Sequence, residues 1–253
     1  MPLLDHFHPP VSSRKAWEGF HHTWATMITL RLNGQVLSAP FESEPHVHIG
    51  PTVEVDVATF EEDEEPSLFS NNGHDDGDGG GVATLPQVFA PPAPPLTGMV
   101  EIADPDSFEV LVYRDTGRWT LAAAIELVSP ANKDREAHRR TFANKCLGYM
   151  AKGVSVVVVD MVTNRSANMH AEIVRHGGLA DSFAWESPSG LSVVCYRTLR
   201  NKADVRLDVW PHELHLGRPL PTVPLWLTAD LCVPLELEPT YHAACVGLRL
   251  AAA

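Results

Sequence analysis

Apolar residues recur at helical spacing over residues 16–33. Trp17, Phe20, Trp24, Met27, Ile28 and Leu32 fall along one side of AWEGFHHTWATMITLRLN. That spacing predicts an amphipathic helix, with Ser12 or Ser13 as N-cap and Asn33-Gly34 as its stop. Beyond Pro40 the period changes to two: Val53, Val55 and Val57 alternate with Glu54, Asp56 and Ala58, the pattern of a strand across 53–60. Residues 99–104 and 108–115 read as a strand pair, and Thr116-Gly117 turns the chain into WTLAAAIELVS (119–129). That run is apolar on both sides around Glu126, as a strand covered on both faces must be. Residues 134–152 read as a helix with Phe142, Cys146, Tyr149 and Met150 as its buried stripe and Arg135, Arg139 and Lys145 facing outward. Gly153 closes it, and VSVVVVDMV (154–162) is a second buried strand. Strand, helix and strand on short loops make a right-handed parallel βαβ unit. A further strand follows at 191–199, after the turn Pro188-Ser189-Gly190, and the proline-rich stretch 205–253 reads as an extended C-terminal wrap.

Between the first predicted strand and this core the periodicity vanishes. Residues 61–98 hold an acidic run, a Gly/Asp tract (GHDDGDGGG) and a proline tract (APPAPP). Such composition buries too little surface to offset its ordering entropy, so a flexible insertion within one domain spanning 1–253 is expected. Its acidity and proline content also suit a partner protein. The Gly/Asp tract lacks the ligand spacing and the closing Glu of an EF-hand loop. The net charge is −13, but Glu61, Glu62, Asp63, Glu64, Glu65, Asp75, Asp76 and Asp78 supply eight of the negative charges. The imbalance is therefore partly local and does not exclude nucleic acid. No run approaches the roughly 20 apolar residues of a membrane span. The opening MPLLDHFHPP lacks the basic lead and apolar core of a secretory leader. Cys146, Cys195, Cys232 and Cys245 form no CxxC pair, which suits small core residues in a reducing cytoplasm.

The chemistry concentrates at Glu126. A carboxylate inside an apolar strand is costly unless paired or bound to a cation, and this one lies near the strand's carboxyl end, where open α/β sheets place ligands. A structural role, bonded to the following loop or to Arg135, is the plain alternative. Asp56 repeats the pattern within 53–60, where alternation also allows a solvated face. Two carboxylates on neighbouring strands, with a lysine near, suit Mg²⁺- or Mn²⁺-dependent cleavage of a phosphodiester. The acids bind a hard cation through oxygen, the cation polarises the phosphoryl group and acidifies a water, and the lysine steadies developing charge. Asp160, at the end of its strand, is either a third acid or a cap on the next turn. Packing is the simpler role for His21 and His22, although His22 could reach the cleft as a general base. His46-x-His48 offers one face to zinc without a partnering Cys or carboxylate.

The run IELVSPANK (125–133), Lys145-x-x-x-Tyr149, Gly153 and VVVVDMVTNR resemble a bacterial family known as domain of unknown function 4058. WEGFHHTW (17–24), IGPTVEVDVATF and LPTVPLWL extend the resemblance over nearly the whole chain, outside 61–98. The E-x-x-S-P core with a lysine on the next helix also resembles the Uma-type proteins of the PD-(D/E)XK superfamily. That resemblance implies an α/β fold with a restriction-endonuclease-like core, a mixed central sheet flanked by helices. It makes Asp56 and Glu126 the metal-binding motif acids, with DNA or RNA as partner. The motif lysine belongs two residues after Glu126, where Val128 stands. Lys133 in the loop or Lys145 on the helix is the substitute the superfamily's known lysine migration implies, with Ser129, Asn132, Arg135 and His22 in support. The same departure admits a non-catalytic descendant serving as a binding or regulatory module.

Overall fold

A computed structural model describes residues 1–46, 92–99, 110–200 and 204–250. The strand read at 53–60, with Asp56, lies outside the described residues, as do His48, residues 100–109 of the expected strand pair and most of 61–98.

Helix α1, Trp17–Arg31, buries Trp17, Phe20, Trp24 and Ile28 along the predicted stripe. Its ends differ from expectation. The N-cap is Ala16, with no side-chain hydrogen bond, because Ser12 belongs to an earlier turn in which its N–H donates to the His8 carbonyl. Asn33-Gly34 does not stop the helix; it widens into a π-turn over Leu32–Val36. Asn33 is drawn away to strand β1, Phe41–Pro45, where its amide grips both the N–H and the carbonyl of Ser43 at 2.8 Å. A short side chain that mimics a strand partner competes with helix termination.

Strands β2 (Leu96–Met99), β3 (Val110–Asp115), β4 (Trp119–Leu127), β5 (Ser155–Asp160), β6 (Ser192–Arg200) and β7 (Val205–Glu213) join β1 in one sheet of order β1-β3-β4-β5-β6-β7-β2. Only β4 and β5 are parallel; every other pair is antiparallel. Among the described residues the fold is mixed α/β, a seven-stranded, mostly antiparallel sheet flanked by helices. Met99 closes β2, which pairs with β7, while β3 pairs with β1 and β4. The parallel strand–helix–strand unit forms, with one element more than expected: residues 130–134, read as loop, are a short helix α2 (Pro130–Asp134), and β4 leads through it and α3 (Glu136–Ala151) into β5, with Gly153 at the left-handed φ of +77° that closes α3.

Residues 205–253 hold more than the expected extended wrap. They supply β7, then the hairpin of β8 (Thr222–Trp226) and β9 (Cys232–Glu236), then helix α5 (Leu237–Gly247). Its prolines mislead because they are tolerated here: Pro224 and Pro234 face each other in a two-stranded ribbon whose edges need no further donors. The hairpin, α1 and α5 cover one sheet face, against Ile125, Leu127, Val157, Val159 and Trp210. The other face carries Ala124, Val128, Val156 and Val158 under α3 and helix α4 (Met169–His176). Layers on both sides explain why β4 and β5 read as continuous apolar runs. Among the described residues no helix is long and apolar enough to cross a membrane.

Candidate functional site: two buried acid–lysine pairs at the ends of the parallel strands

Side chains alternate along a strand, so Glu126 shares the face of Ala124 and Val128 and points toward α3. It is 0 % exposed. Lys145 comes down from α3 and donates from Nζ to Glu126 Oε2 at 2.7 Å. The outward orientation expected of Lys145 is corrected here: it is 7 % exposed. Residue 145 lies beside Tyr149 on the helical wheel, on the flank of the buried stripe, and a buried carboxylate draws its ammonium inward. The Phe142 ring, 5.5 Å from Nζ, adds a π-face to the cation's surroundings. Cys146 adjoins the pair; burial first, and Glu126 second, push its thiol well above the usual range while Lys145 opposes them.

A second pair stands beside the first. In the parallel register Glu126 faces Val158 and Leu127 faces Val159, and Val128 N–H donates to the Val159 carbonyl at 2.9 Å. Asp160 therefore falls beside Val128, on the face of Glu126. From the strand spacing and the rise per residue, the Glu126 and Asp160 Cα atoms are about 8 Å apart. Lys133, from α2, donates to both Asp160 oxygens at 2.8 and 3.1 Å and to the Val162 carbonyl at 3.4 Å. These residues are 2 % and 1 % exposed. Burial dominates at Asp160 and pushes its carboxyl up to about 6, against the pull of Lys133 and the Val162 N–H. Of the two roles weighed for Asp160 the cap is present: Oδ1 accepts from Val162 N–H at 3.1 Å.

The remaining site residues serve other tasks. Ser129 and Asn132 form a capping box at the start of α2: Ser129 N–H donates to Asn132 Oδ1 at 2.9 Å and Asn132 N–H to Ser129 Oγ at 3.3 Å. Pro130 at the first helical position suits this start. The Arg135 side chain is exposed, 3.6 Å from Asp134. His22 lies on α1, whose buried residues belong to the opposite face of the sheet from Glu126. Asp56 lies outside the described residues, and among those described no group of three or more His, Cys, Asp and Glu is placed to hold a metal ion.

A cleft of about 640 Å³ opens just past the carboxyl end of β5. Val162, whose carbonyl meets Lys133, forms part of its wall, with Arg165, Ser166, Ser187, Ser189 and His215 around it and no carboxylate among the described residues of the lining. Three separate loops build it, which no local sequence signal could have joined. No family model, curated protein or solved structure matches the chain.

Proposed function

We propose that this chain is a metal-dependent phosphodiesterase acting on nucleic acid, on a restriction-endonuclease-like core, with Glu126 and Lys145 as its acid and lysine. The observation that supports it is the 2.7 Å contact between Lys145 Nζ and Glu126 Oε2. Val128 leaves the motif's lysine position apolar, and the next helix brings an ammonium to the same acid. Glu126 fits a hard cation by donor type, as one carboxylate of a set that Asp56 would complete. Mg²⁺ or Mn²⁺ bound there would polarise the phosphoryl group and acidify a water. Lys145 is then a donor to a non-bridging phosphoryl oxygen, and Lys133 holds Asp160 and the wall of the neighbouring cleft in place. DNA or RNA is the partner and the cytoplasm the location on this reading.

A second reading, a nuclease-like fold that binds without cleaving, is favoured by the burial of Glu126 and the closure of its ion pair on Lys145. Incubation of the purified chain with plasmid DNA and single-stranded RNA under Mg²⁺ or Mn²⁺ separates the two. Catalysis predicts cleavage that falls by at least about 100-fold in Glu126→Gln and in Lys145→Met, with thermal melts showing both variants folded. A folded wild type that cleaves neither substrate and takes up no Mg²⁺ in calorimetry establishes the second reading.

A further inference from the structure

The cleft past the carboxyl end of β5 gathers polar side chains that neither acid–lysine pair uses. Its wall comes from residues 162–166 after β5, 187–191 before β6 and 215–216 after β7. Three of its hydroxyls fasten these loops to the rest of the chain. Ser187 Oγ donates to the Leu191 carbonyl at 2.7 Å, and Ser189 Oγ to the Leu214 carbonyl at 2.6 Å. Thr163 donates to Asp5 Oδ1 at 2.6 Å. The cleft is thus formed in advance of any ligand, at the strand end where open α/β sheets place theirs. Arg165, Ser166 and His215 are the polar side chains of the lining that stand outside this scaffold.

Arg165 and His215 are loosely held. Arg165 Nε lies 3.3 Å from Asp134 Oδ1, with both side chains 42 % exposed, and its Nη1 donates to the Asn164 carbonyl at 2.8 Å. His215 Nε2 lies 3.5 Å from Glu213 Oε2, and the other oxygen of Glu213 accepts from Ser189 N–H at 2.8 Å. Asp134 and Glu213 are the charges that oppose an anion here. Ion pairs this open to water contribute little, whereas a phosphate offers a guanidinium two parallel charge-assisted hydrogen bonds. Two other clefts, of about 400 and 310 Å³, carry carboxylates in their linings, Glu42 and Asp115 in one and Glu236 in the other. The larger cleft has none among the described residues of its lining. Its apolar lining is Val162, Pro188, Leu191 and Leu216, of which Leu216 is 45 % exposed. A volume of about 640 Å³ is that of a small-ligand site, and a ligand with an anionic group on a compact, less polar body matches both parts of the wall.

We propose that this cleft binds a nucleoside 5′-phosphate, free or at the end of a strand, with the phosphate on Arg165, Ser166 and His215 and the base or sugar against Leu216. The site rests on these residues and not on Glu126, so it stands or falls apart from the nuclease reading.

The probes are adenosine 5′-monophosphate, inorganic phosphate, adenosine and a 5′-phosphorylated tetra-adenylate. Each is titrated into the full chain by calorimetry with a chelator present, so that no metal site and no cleavage contributes. The monophosphate should bind about tenfold or more tighter than phosphate or adenosine, since it alone meets both parts of the lining. Arg165→Met should weaken it by about tenfold or more, with a melt close to that of wild type because the Arg165–Asp134 pair is exposed. Leu216→Ser should bring the monophosphate down to about the affinity of phosphate. A tetra-adenylate that binds about tenfold tighter than the monophosphate, and loses as much in Arg165→Met, assigns the cleft to the end of a strand; equal affinities assign it to the free nucleotide. A monophosphate no tighter than phosphate or adenosine, or unaffected by Arg165→Met in a folded chain, overturns the proposal.

Discussion

Lys133→Met offers the sharpest test of how the paired acids are held. The wild-type ammonium sits 2.8 and 3.1 Å from the two Asp160 oxygens, with both side chains out of water. Even so, burial keeps the Asp160 carboxyl at about 6 in the folded chain, against an ordinary 3.8. A folded pKa above the unfolded one means that the native state holds the proton more tightly. Its contribution to stability is therefore full below the ordinary carboxyl range and is lost as pH rises through about 6. The difference corresponds to about 3 kcal/mol. Removing the ammonium removes the main opposing pull, so the carboxyl of the variant rises further. At pH 8 the variant must bury an unpaired carboxylate or protonate it against the solvent, and loss of one partner from a buried pair costs about 3–5 kcal/mol. For a chain of this size that is a fall in Tm of roughly 6–20 °C. At pH 5 the acid is largely protonated in both proteins, and the penalty should shrink by more than half. Lys133→Met combined with Asp160→Leu should recover most of the loss, because two apolar side chains leave no charge behind. Thermal and urea melts of all four members of the cycle at pH 5 and pH 8 measure the coupling. A penalty equal at the two pH values, or a double variant as unstable as the summed singles, would refute the reasoning.

Two further outcomes follow from other groups. His6 is stacked on Phe20 at 3.9 Å between ring centroids, and its Nε2 is hydrogen-bonded to the Tyr241 hydroxyl at 2.7 Å, which accepts from Leu4 N–H. Burial lowers its pKa to about 4, so this contribution is full above about 6.5 and is lost as pH falls toward 4, by about 3 kcal/mol; His6→Gln should flatten the melting curve against pH in that window relative to wild type. Ser129→Ala removes the capping box at α2 and should cost about 1 kcal/mol in urea melts, without altering the fold seen by circular dichroism.

The elements legible in the sequence are those whose period is imposed by burial. The runs at 119–129 and 191–199 coincide with β4 and β6 within two residues, and 154–162 holds β5, because a strand covered on both faces must be apolar throughout. The α3 stripe was legible for the same reason, but Lys145 was not, since a flank position becomes interior only when a buried acid stands opposite. Asp160 and Lys133 could be noticed singly; their pairing depends on the β4/β5 register and on α2, neither written in local spacing. In the tail, proline density masked two strands of a ribbon that tolerates it and a helix that carries Pro239 in its first turn. The contact of Trp210 with Pro92 gave no signal at all, because the two are far apart in sequence and close in space.

The two acid–lysine pairs also constrain which arrangements of the helical layer exist. An apolar interface between α3 and the sheet tolerates sliding, since one methyl-lined groove resembles the next. With Lys145 on Glu126 and Lys133 on Asp160, a displacement of either α2 or α3 by one turn, about 5.4 Å, would strand two charges in a medium that cannot solvate them. The pairs thereby penalise every alternative packing far more than they favour the native one. A chain with all four positions made apolar is expected to keep its melting point and to show broadened core side-chain resonances; resonances as sharp as those of the wild type would remove this role for the pairs.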